Sequence, residues 1–430
     1  MSSTPEASPR RSSDPPSVPG VRPDTGSAPV HPPMTRILRK RSPVTSPLSL
    51  PLSLFATTGR GLEELLCREI AMLAPDGNPV ATRGGVSFTA DLQTLCRGIL
   101  WLRTANRVLI RLGSFPAPDP DRLYEGSRTI PWHDLIPPDA TIAVSATLRG
   151  DGITHSRFAS LRVKDAVVDT IRDHTGRRPS VNSDDPDVPI HLHIDGGEGT
   201  LYLDPSGVSL DHRGYRQERG EAPLREHLAA ALVLFSGWGG EVPLYDPFCG
   251  SGTILIEGAM IASRVPPGLL RPPPALLRWP WFPRSEWERT LAEGKSGIIP
   301  CRVPLVGSDA DQRVIARAER TVARLPFPTT IRLTQRPFEH FSPDEGKGVI
   351  ITNPPYGKRL SGDEDLPPLY RRVGDILKRR CAGSQAFVLV PHGPLAKGIG
   401  LRPSRRIPLF NGAIDCRLLC FDLFEGSHLR

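Results

Sequence analysis

The sequence is short of the residues that build disulfide scaffolds, metal centres or membrane spans. Its seven cysteines (67, 96, 249, 301, 381, 416 and 420) are odd in number and scattered. They form no C-x-x-C, and no Cys/His spacing suits zinc, so no metal site is expected and a reducing compartment is. Cys416 and Cys420 stand four apart in a run that reads as a strand, so they share a face and belong to a core. His191 and His193 also share a strand face, but a third ligand is missing and they read as satisfied surface histidines. No run of about eighteen apolar residues occurs, so no transmembrane helix is expected. There is no arguable Ser/His/Asp triad.

Charge of one sign is scarce as well. Lys and Arg number 54 against 46 Asp and Glu, a formal excess of +8. Residues 1–50 hold seven basic and three acidic side chains, so half of the excess lies there. What remains is mildly basic, compatible with RNA or DNA and no proof of either. Proline, by contrast, is abundant at 48, with 11 in the first fifty residues beside many Ser. That stretch has too little apolar periodicity to offset its ordering entropy and is expected to be a disordered tail. It contains Glu6, Asp14 and Asp24 and no amphipathic run, which argues against a transit peptide and for a cytoplasmic protein.

The 430 residues call for two or three domains. Residues 51–118 read as strand, helix, strand, helix, strand: 52–58, 61–73, 85–89, 92–106 and 107–112. That order suits a small ferredoxin-like unit. After a Pro/Asp turn cluster at 116–121, residues 119–205 offer a strand at 141–148, a helix at 158–174 and a hairpin of 189–194 with 199–203. Arg157, Arg162, Lys164 and Arg172 lie on or beside this helix, and Arg177-Arg178 follow it; they read either as a solvated face or as an RNA-facing patch. Residues 206–430 alternate helix and buried strand, the mark of a parallel doubly wound sheet. Asn411-Gly412 joins a final hairpin of 405–410 with 413–424. An insertion at 264–302, rich in Pro and Trp, reads as a surface lobe or lid.

The chemistry is concentrated in two motifs. In Leu244-Tyr-Asp-Pro-Phe-Cys-Gly-Ser-Gly-Thr-Ile-Leu255 a strand ends on an acidic residue, turns through glycines and enters a helix. Gly250 and Gly252 admit close approach of a ligand, and the helix N-terminus at Thr253 offers N–H groups to a carboxylate. Asp246 is placed to meet an ammonium group. A ligand carrying both charges has an amino-acid end, as S-adenosylmethionine does. A nucleotide-phosphate loop is the rival reading, but G-K-[ST] is absent and Asp246 would repel phosphate. The next strand ends at Asp309, which suits two ribose hydroxyls; a helix N-cap is the other reading for both Asp309 and Asp311. About a hundred residues on comes Asn353-Pro-Pro-Tyr-Gly357. The Asn353 side-chain oxygen and the Pro354 carbonyl can both accept hydrogen bonds from an NH2 group, leaving its lone pair aimed at a sulfonium methyl. Tyr356 offers a ring face on which an extruded base could stack. Cys249 reads as packing, since amine methylation needs no thiol.

These residues resemble the THUMP-domain guanine-N2 RNA methyltransferases, most closely the bacterial 23S ribosomal RNA enzymes of the RlmL type. Beyond the two motifs, the resemblance is carried by Phe55-Ala-Thr-Thr-Gly-Arg-Gly-Leu-Glu-Glu-Leu65, Leu100-Trp-Leu-Arg-Thr-Ala-Asn-Arg-Val108, Val163-Lys-Asp-Ala-Val-Val-Asp169, Asp211-His-Arg-Gly-Tyr-Arg216 and Ala222-Pro-Leu-Arg-Glu-His-Leu-Ala-Ala230. It implies a ferredoxin-like domain, a THUMP RNA-binding domain and a Rossmann-like class I methyltransferase domain, whose mostly parallel sheet has an antiparallel last strand. By the same resemblance Asp246, Phe248, Gly250, Gly252, Thr253, Asp309 and Asn353 bind S-adenosylmethionine, and the Ala222–Ala230 helix covers it. Asn353, Pro354 and Tyr356 hold the guanine, while Arg157, Lys164, Arg177 and Arg178 contact structured RNA. The implied substrate is 23S ribosomal RNA, with transfer RNA the nearest alternative and no protein partner called for. Some members also carry a second methyltransferase that makes N7-methylguanine; only the N2 activity is implied for this stretch. Where the third strand of the family often ends in an adenine-contacting Asp, this chain has Gln335 or Glu339 as a substitute.

Overall fold

The computed structural model describes residues 46–216, 224–356 and 366–425; the tail up to residue 45, Ala222, Pro223 and Gly357 lie outside them. The first part runs β1 (Leu52–Thr58), α1 (Glu63–Leu73), β2 (Val80–Thr82), β3 (Gly85–Ala90), α2 (Leu92–Trp101) and β4 (Ala105–Pro116). The second runs α3 (Pro120–Arg128), α4 (Trp132–Leu135), β5 (Thr141–Arg149), α5 (Ser156–Thr175), β6 (Ser180–Val181), β7 (Val188–Asp195) and β8 (Glu198–Leu203). The two parts share one eight-stranded sheet, β2-β3-β1-β4-β8-β7-β5-β6. β4 is the reason. It is long enough to pair antiparallel with β1 through its first half and with β8 through its second, from Ile110 opposite Leu203 to Pro116 opposite Glu198. The Pro/Asp cluster expected to be a turn is therefore the end of β4 and the start of α3. The Asp119 carboxylate caps α3 by accepting from the Asp121 and Arg122 amides, and Pro120 fits the first turn, where no N–H is needed.

The third part runs α6 (Glu226–Ser236), β9 (Leu244–Asp246), α7 (Thr253–Ala262), α8 (Arg284–Ser296), β10 (Leu305–Asp309), α9 (Gln312–Val322), β11 (Ile331–Gln335), β12 (Val349–Thr352), α10 (Leu366–Arg380), β13 (Gln385–Pro391), α11 (Pro394–Gly398), β14 (Arg405–Asn411) and β15 (Ile414–Asp422). Its seven strands lie in the order β11-β10-β9-β12-β13-β15-β14, parallel except for β15. One core lies under α6, α7 and α9, another under α10 and α11. Buried on both faces, β12 is a continuous Val-Ile-Ile-Thr run, as a central parallel strand requires.

The insertion at 264–302 is neither a free lobe nor a lid. Trp279, Trp281, Phe282 and Trp287 are buried in the core of the eight-stranded sheet. Each of the first two indoles also finds a hydrogen-bond acceptor there: Trp279 Nε1 donates to Asp187 O at 3.0 Å and Trp281 Nε1 to Leu135 O at 3.1 Å. Arg278 pairs with Asp185 at 2.8 Å, and α8 lies against α2. A Pro-rich chain has few regular backbone bonds to make, so its large aromatics dock it instead.

A second tie is polar. Arg213 and Glu257, both fully buried, pair at 3.2 Å. Arg213 also donates to the carbonyls of Leu210 and Arg103, and Arg103 in turn donates to Val265 O at 2.9 Å. The Asp211–Arg216 segment thus locks the end of α2 to α7.

Candidate active site

The order β11-β10-β9-β12 means that the chain leaves β9 toward one edge and later returns to its other side. A crevice opens at such a switch point, at the carboxyl ends of the strands. Asp246 ends β9, Asp309 ends β10, and Asn353 follows β12, so three separated acidic or amide residues meet there. Thr352 Oγ1 donates to Asp246 Oδ1 at 2.7 Å, joining the two motifs directly.

Asp246 is 1 % exposed. Its Oδ1 also accepts from Phe248 N at 3.2 Å, and it forms no ion pair among the described residues. Burial, reinforced by the nearby Asp309 charge and opposed by these hydrogen bonds, pushes its carboxyl up to about 7. A carboxyl so buried and without a cation fits an ammonium group. The glycine turn fits a ligand too. Gly250 has φ +53° and open space where a Cβ would stand, and Gly252, at φ +75°, is the N-cap of α7. Thr253 begins α7, where Ser251 Oγ lies 3.0 Å from its Oγ1.

Asp309 holds the turn shut from the other side: Oδ2 accepts from Gly250 N at 3.1 Å and Oδ1 from Asp311 N at 3.0 Å. The N-cap of α9 is Asp311, which accepts from Arg313 N at 2.8 Å, and Asp309 is left at the strand end. Phe248 stacks on Phe338, with centroids 4.7 Å apart, giving the crevice an apolar wall. Gln335 and Glu339 are both engaged elsewhere, Gln335 on Ala310 O at 3.2 Å and Glu339 with Arg372 at 3.0 Å.

The sequence reading did not single out Arg216. Its Nη2 donates to Thr253 Oγ1 and Leu224 O, both at 2.5 Å, its Nη1 lies 3.6 Å from Glu226 Oε2, and its buried Nε has no hydrogen-bond partner among the described residues. A guanidinium at the N-terminus of α7 suits a carboxylate. The only signal in the sequence was its membership of the Asp211–Arg216 run.

Asn353 Oδ1 is buried and has no hydrogen-bond donor among the described residues. Such an orphaned acceptor costs free energy and calls for a ligand N–H. Pro354 is buried beside it, and Tyr370 Oη donates to Pro355 O at 3.4 Å. Tyr356 is not the open stacking face expected of it. It is 2 % exposed, and its hydroxyl accepts from Asn411 Nδ2 at 2.7 Å, because a ring with one polar end buries well once that end has a partner.

The basic residues of α5 divide into two sets. Arg162 pairs with Asp121, Arg172 with Asp169, and Lys164 with Asp165, so these follow the solvated-face reading. Arg157, Arg177 and Arg178 are exposed and form no ion pair among the described residues. His191 lies 2.9 Å from Ser145 Oγ, burial pushes its imidazole down to about 4, and no metal-binding cluster occurs among the described residues. No helix among them is long and apolar enough to cross a membrane.

A doubly wound sheet with one antiparallel strand and an acidic Gly-rich turn after its first strand defines a class I methyltransferase domain. Three protein families match consecutive stretches: the RlmL ferredoxin-like domain over 53–109, the THUMP domain over 117–204 and the RMKL-like methyltransferase domain over 213–419. The chain belongs to the THUMP-domain class I RNA methyltransferases with an RlmL-type ferredoxin-like domain. It is 42% identical over 395 residues to a ribosomal RNA large subunit methyltransferase K/L from Syntrophotalea carbinolica, a match covering 88% of this chain and 54% of that protein. It thus spans about half the length of such relatives. A putative RNA methyltransferase of Synechocystis is 38% identical, with 86% of this chain and 96% of that one covered. Among solved structures, a putative methyltransferase complexed with SAH superposes with a TM-score of 0.80 at 27% identity, covering 88% of this chain and 100% of that one.

Proposed function

We propose that this chain transfers a methyl group from S-adenosylmethionine to the exocyclic N2 of a guanosine in 23S ribosomal RNA. The observation that carries the chemistry is the pairing, across one hydrogen bond, of a buried carboxyl without a cation and a loop whose amide oxygen lacks a donor. The bound cofactor supplies an electrophilic methyl on its sulfonium. Asp246 takes the ammonium of the cofactor, Arg216 and the first turn of α7 take its carboxylate, and Asp309 takes the ribose hydroxyls. Phe248 walls the pocket. Asn353 Oδ1 and the Pro354 carbonyl accept the two hydrogens of the target amine, which leaves the lone pair free to attack. Tyr356, anchored on Asn411, holds this loop rather than offering an open platform.

The choice of RNA is supported by relatives named as ribosomal RNA large subunit methyltransferases, and that of guanine by the resemblance in sequence alone, since the amine site would serve adenine N6 or glutamine N5 equally. Transfer RNA is the nearest alternative. Purified protein, tritiated cofactor and each RNA class would decide: label recovered as N2-methylguanosine from 23S RNA is expected, and label appearing only as N6-methyladenosine or only in DNA would sink the proposal.

Two predictions follow from charge. Binding an ammonium group requires Asp246 ionised, and its carboxyl sits up at about 7 before binding. Cofactor affinity should therefore rise about tenfold between pH 6 and 8, with a proton released on binding below neutrality. In the cofactor-free protein the sign is opposite. The fold holds this proton more tightly than the unfolded chain does, so the contribution of Asp246 to stability is lost as pH climbs from the ordinary carboxylate range toward 7. Calorimetric titration in buffers of different ionisation heat measures the proton; a flat pH profile would remove Asp246 from the ammonium site. On the THUMP surface, replacing Arg157, Arg177 and Arg178 together by Ala should weaken RNA binding and flatten its salt dependence by about 1 to 3 logarithmic units per decade. Lys164→Ala, already paired with Asp165, should change the slope little. Filter binding across a salt series checks both.

A further inference from the structure

A cleft of about 280 Å3 is lined in part by Asn411, the residue that donates to the Tyr356 hydroxyl. Arg60 reaches it from the β1–α1 loop, Asn106 from β4, Arg225 and His227 from the start of α6, and Phe410 and Asn411 from the end of β14. Among the described residues no carboxylate lines it. The Arg60 guanidinium lies over the Phe410 ring, 4.2 Å from its centroid, which orients the charge without neutralising it. Neither Arg60 nor Arg225 has an ion-pair partner among the described residues. His227, 5 % exposed, is held in the wall of the cleft by the buried Asp211 carboxylate, 3.5 Å from its Nδ1. The loop that presents Arg60 is pressed onto β14. Gly61 has φ +88°, and a Cβ there would stand 2.8 Å from Pro408 O, so only glycine permits the contact.

We propose that this cleft binds the RNA backbone phosphate adjoining the nucleotide whose base enters the Asn353 site. The inference rests on the RNA methylation reading above. Asn411 both lines the cleft and donates to the Tyr356 hydroxyl, so the cleft and the amine-binding loop share a wall. A nucleotide that delivers its base past that wall carries its phosphodiester out on the cleft side. Two guanidiniums without competing carboxylates match that anion, and the fork of each suits its oxygens. The ferredoxin-like part thereby contributes Arg60 directly to substrate binding.

The test compares wild type, Arg60→Ala, Arg225→Ala, the double variant and Arg60→Lys. Each is titrated by filter binding with unmodified 23S RNA transcript across a salt series, assayed for the KM of methyl transfer, and checked for cofactor Kd. The double variant should show Kd and KM for RNA raised about tenfold or more. Its slope of log affinity against log salt should be shallower by about 1. Arg60→Lys should keep the wild-type slope, and Arg60→Ala should keep the wild-type cofactor Kd, which separates charge loss from misfolding. A double variant with wild-type Kd and slope overturns the assignment. So does an equal loss of affinity for heparin with KM for RNA unchanged, the behaviour of an unspecific anion patch. Wild type that binds the transcript without methylating it defeats the methylation reading alone; the binding slopes then judge the cleft by the same criterion.

Discussion

Asn353→Ala should lower kcat for methyl transfer by about 10²- to 10³-fold or more, while the Kd values for cofactor and RNA stay within about threefold. The asymmetry follows from what the amide does. Its Oδ1 is buried and lacks a donor among the described residues, so the protein has already met the cost of desolvating it. That oxygen contributes when the amine hydrogens are held and the nitrogen lone pair is turned toward the methyl, which is a property of the transition state more than of either binding step. The groups proposed to hold the cofactor, Asp246, the glycine turn and Asp309, are untouched by the change. Asn353→Asp keeps an acceptor of nearly the same shape and should retain more activity than the alanine variant. Single-turnover rates with saturating RNA, together with separate binding titrations, make the measurement. An alanine variant with wild-type turnover would falsify the assigned role, and one that loses cofactor binding in proportion would make Asn353 a pocket residue only.

The elements that place this site were readable because each is a local signal. The strand from Leu244 to Asp246, the glycine turn and the entry at Thr253 follow from side-chain type at consecutive positions. The competition between Asp309 and Asp311 for the helix cap was visible as well, but only the backbone geometry assigns the cap to Asp311. What was hidden depends on distant partners. The fusion of two α+β parts into one sheet rests on the register of β4 with β8, and nothing near Pro116 announces it. A Trp-rich insertion has the same composition whether its indoles face water or a core, and the acceptors at Leu135 and Asp187 lie over ninety residues away. Tyr356 illustrates the same limit. Its motif suggested an exposed ring, whereas Asn411, known from the sequence only as half of a hairpin turn, supplies the partner that allows it to be buried. Arg216 gave no motif of its own, since only its contact with Thr253 places it at the start of α7.

Arg213→Ala should destabilise the protein by about 3–5 kcal/mol, more than loss of any exposed ion pair. Arg213 and Glu257 both have side chains at 0% exposure, and Arg213 Nε donates to Glu257 Oε1 at 3.2 Å. Tyr215 Oη shares that oxygen at 3.3 Å, while Glu257 Oε2 has no hydrogen-bond partner among the described residues. Removing the guanidinium leaves Glu257 as a buried charge and strips the carbonyls of Leu210 and Arg103 of their donor. The pair itself is a different matter. Two charges taken out of water recover little more than their desolvation cost, so Arg213→Met combined with Glu257→Leu should lose far less than Arg213→Ala alone. Urea unfolding midpoints of the three proteins test this ordering, and a single variant as stable as wild type would show that the pair is not buried in solution. The consequence reaches the site because Glu257 sits on α7, the helix whose first turn is proposed to take the cofactor carboxylate, while Arg213 grips Arg103 at the end of α2. A variant that keeps α7 in place through apolar packing should keep cofactor affinity. One that leaves Glu257 charged and unpaired should lose it along with stability, because α7 then gains by moving that carboxylate toward water.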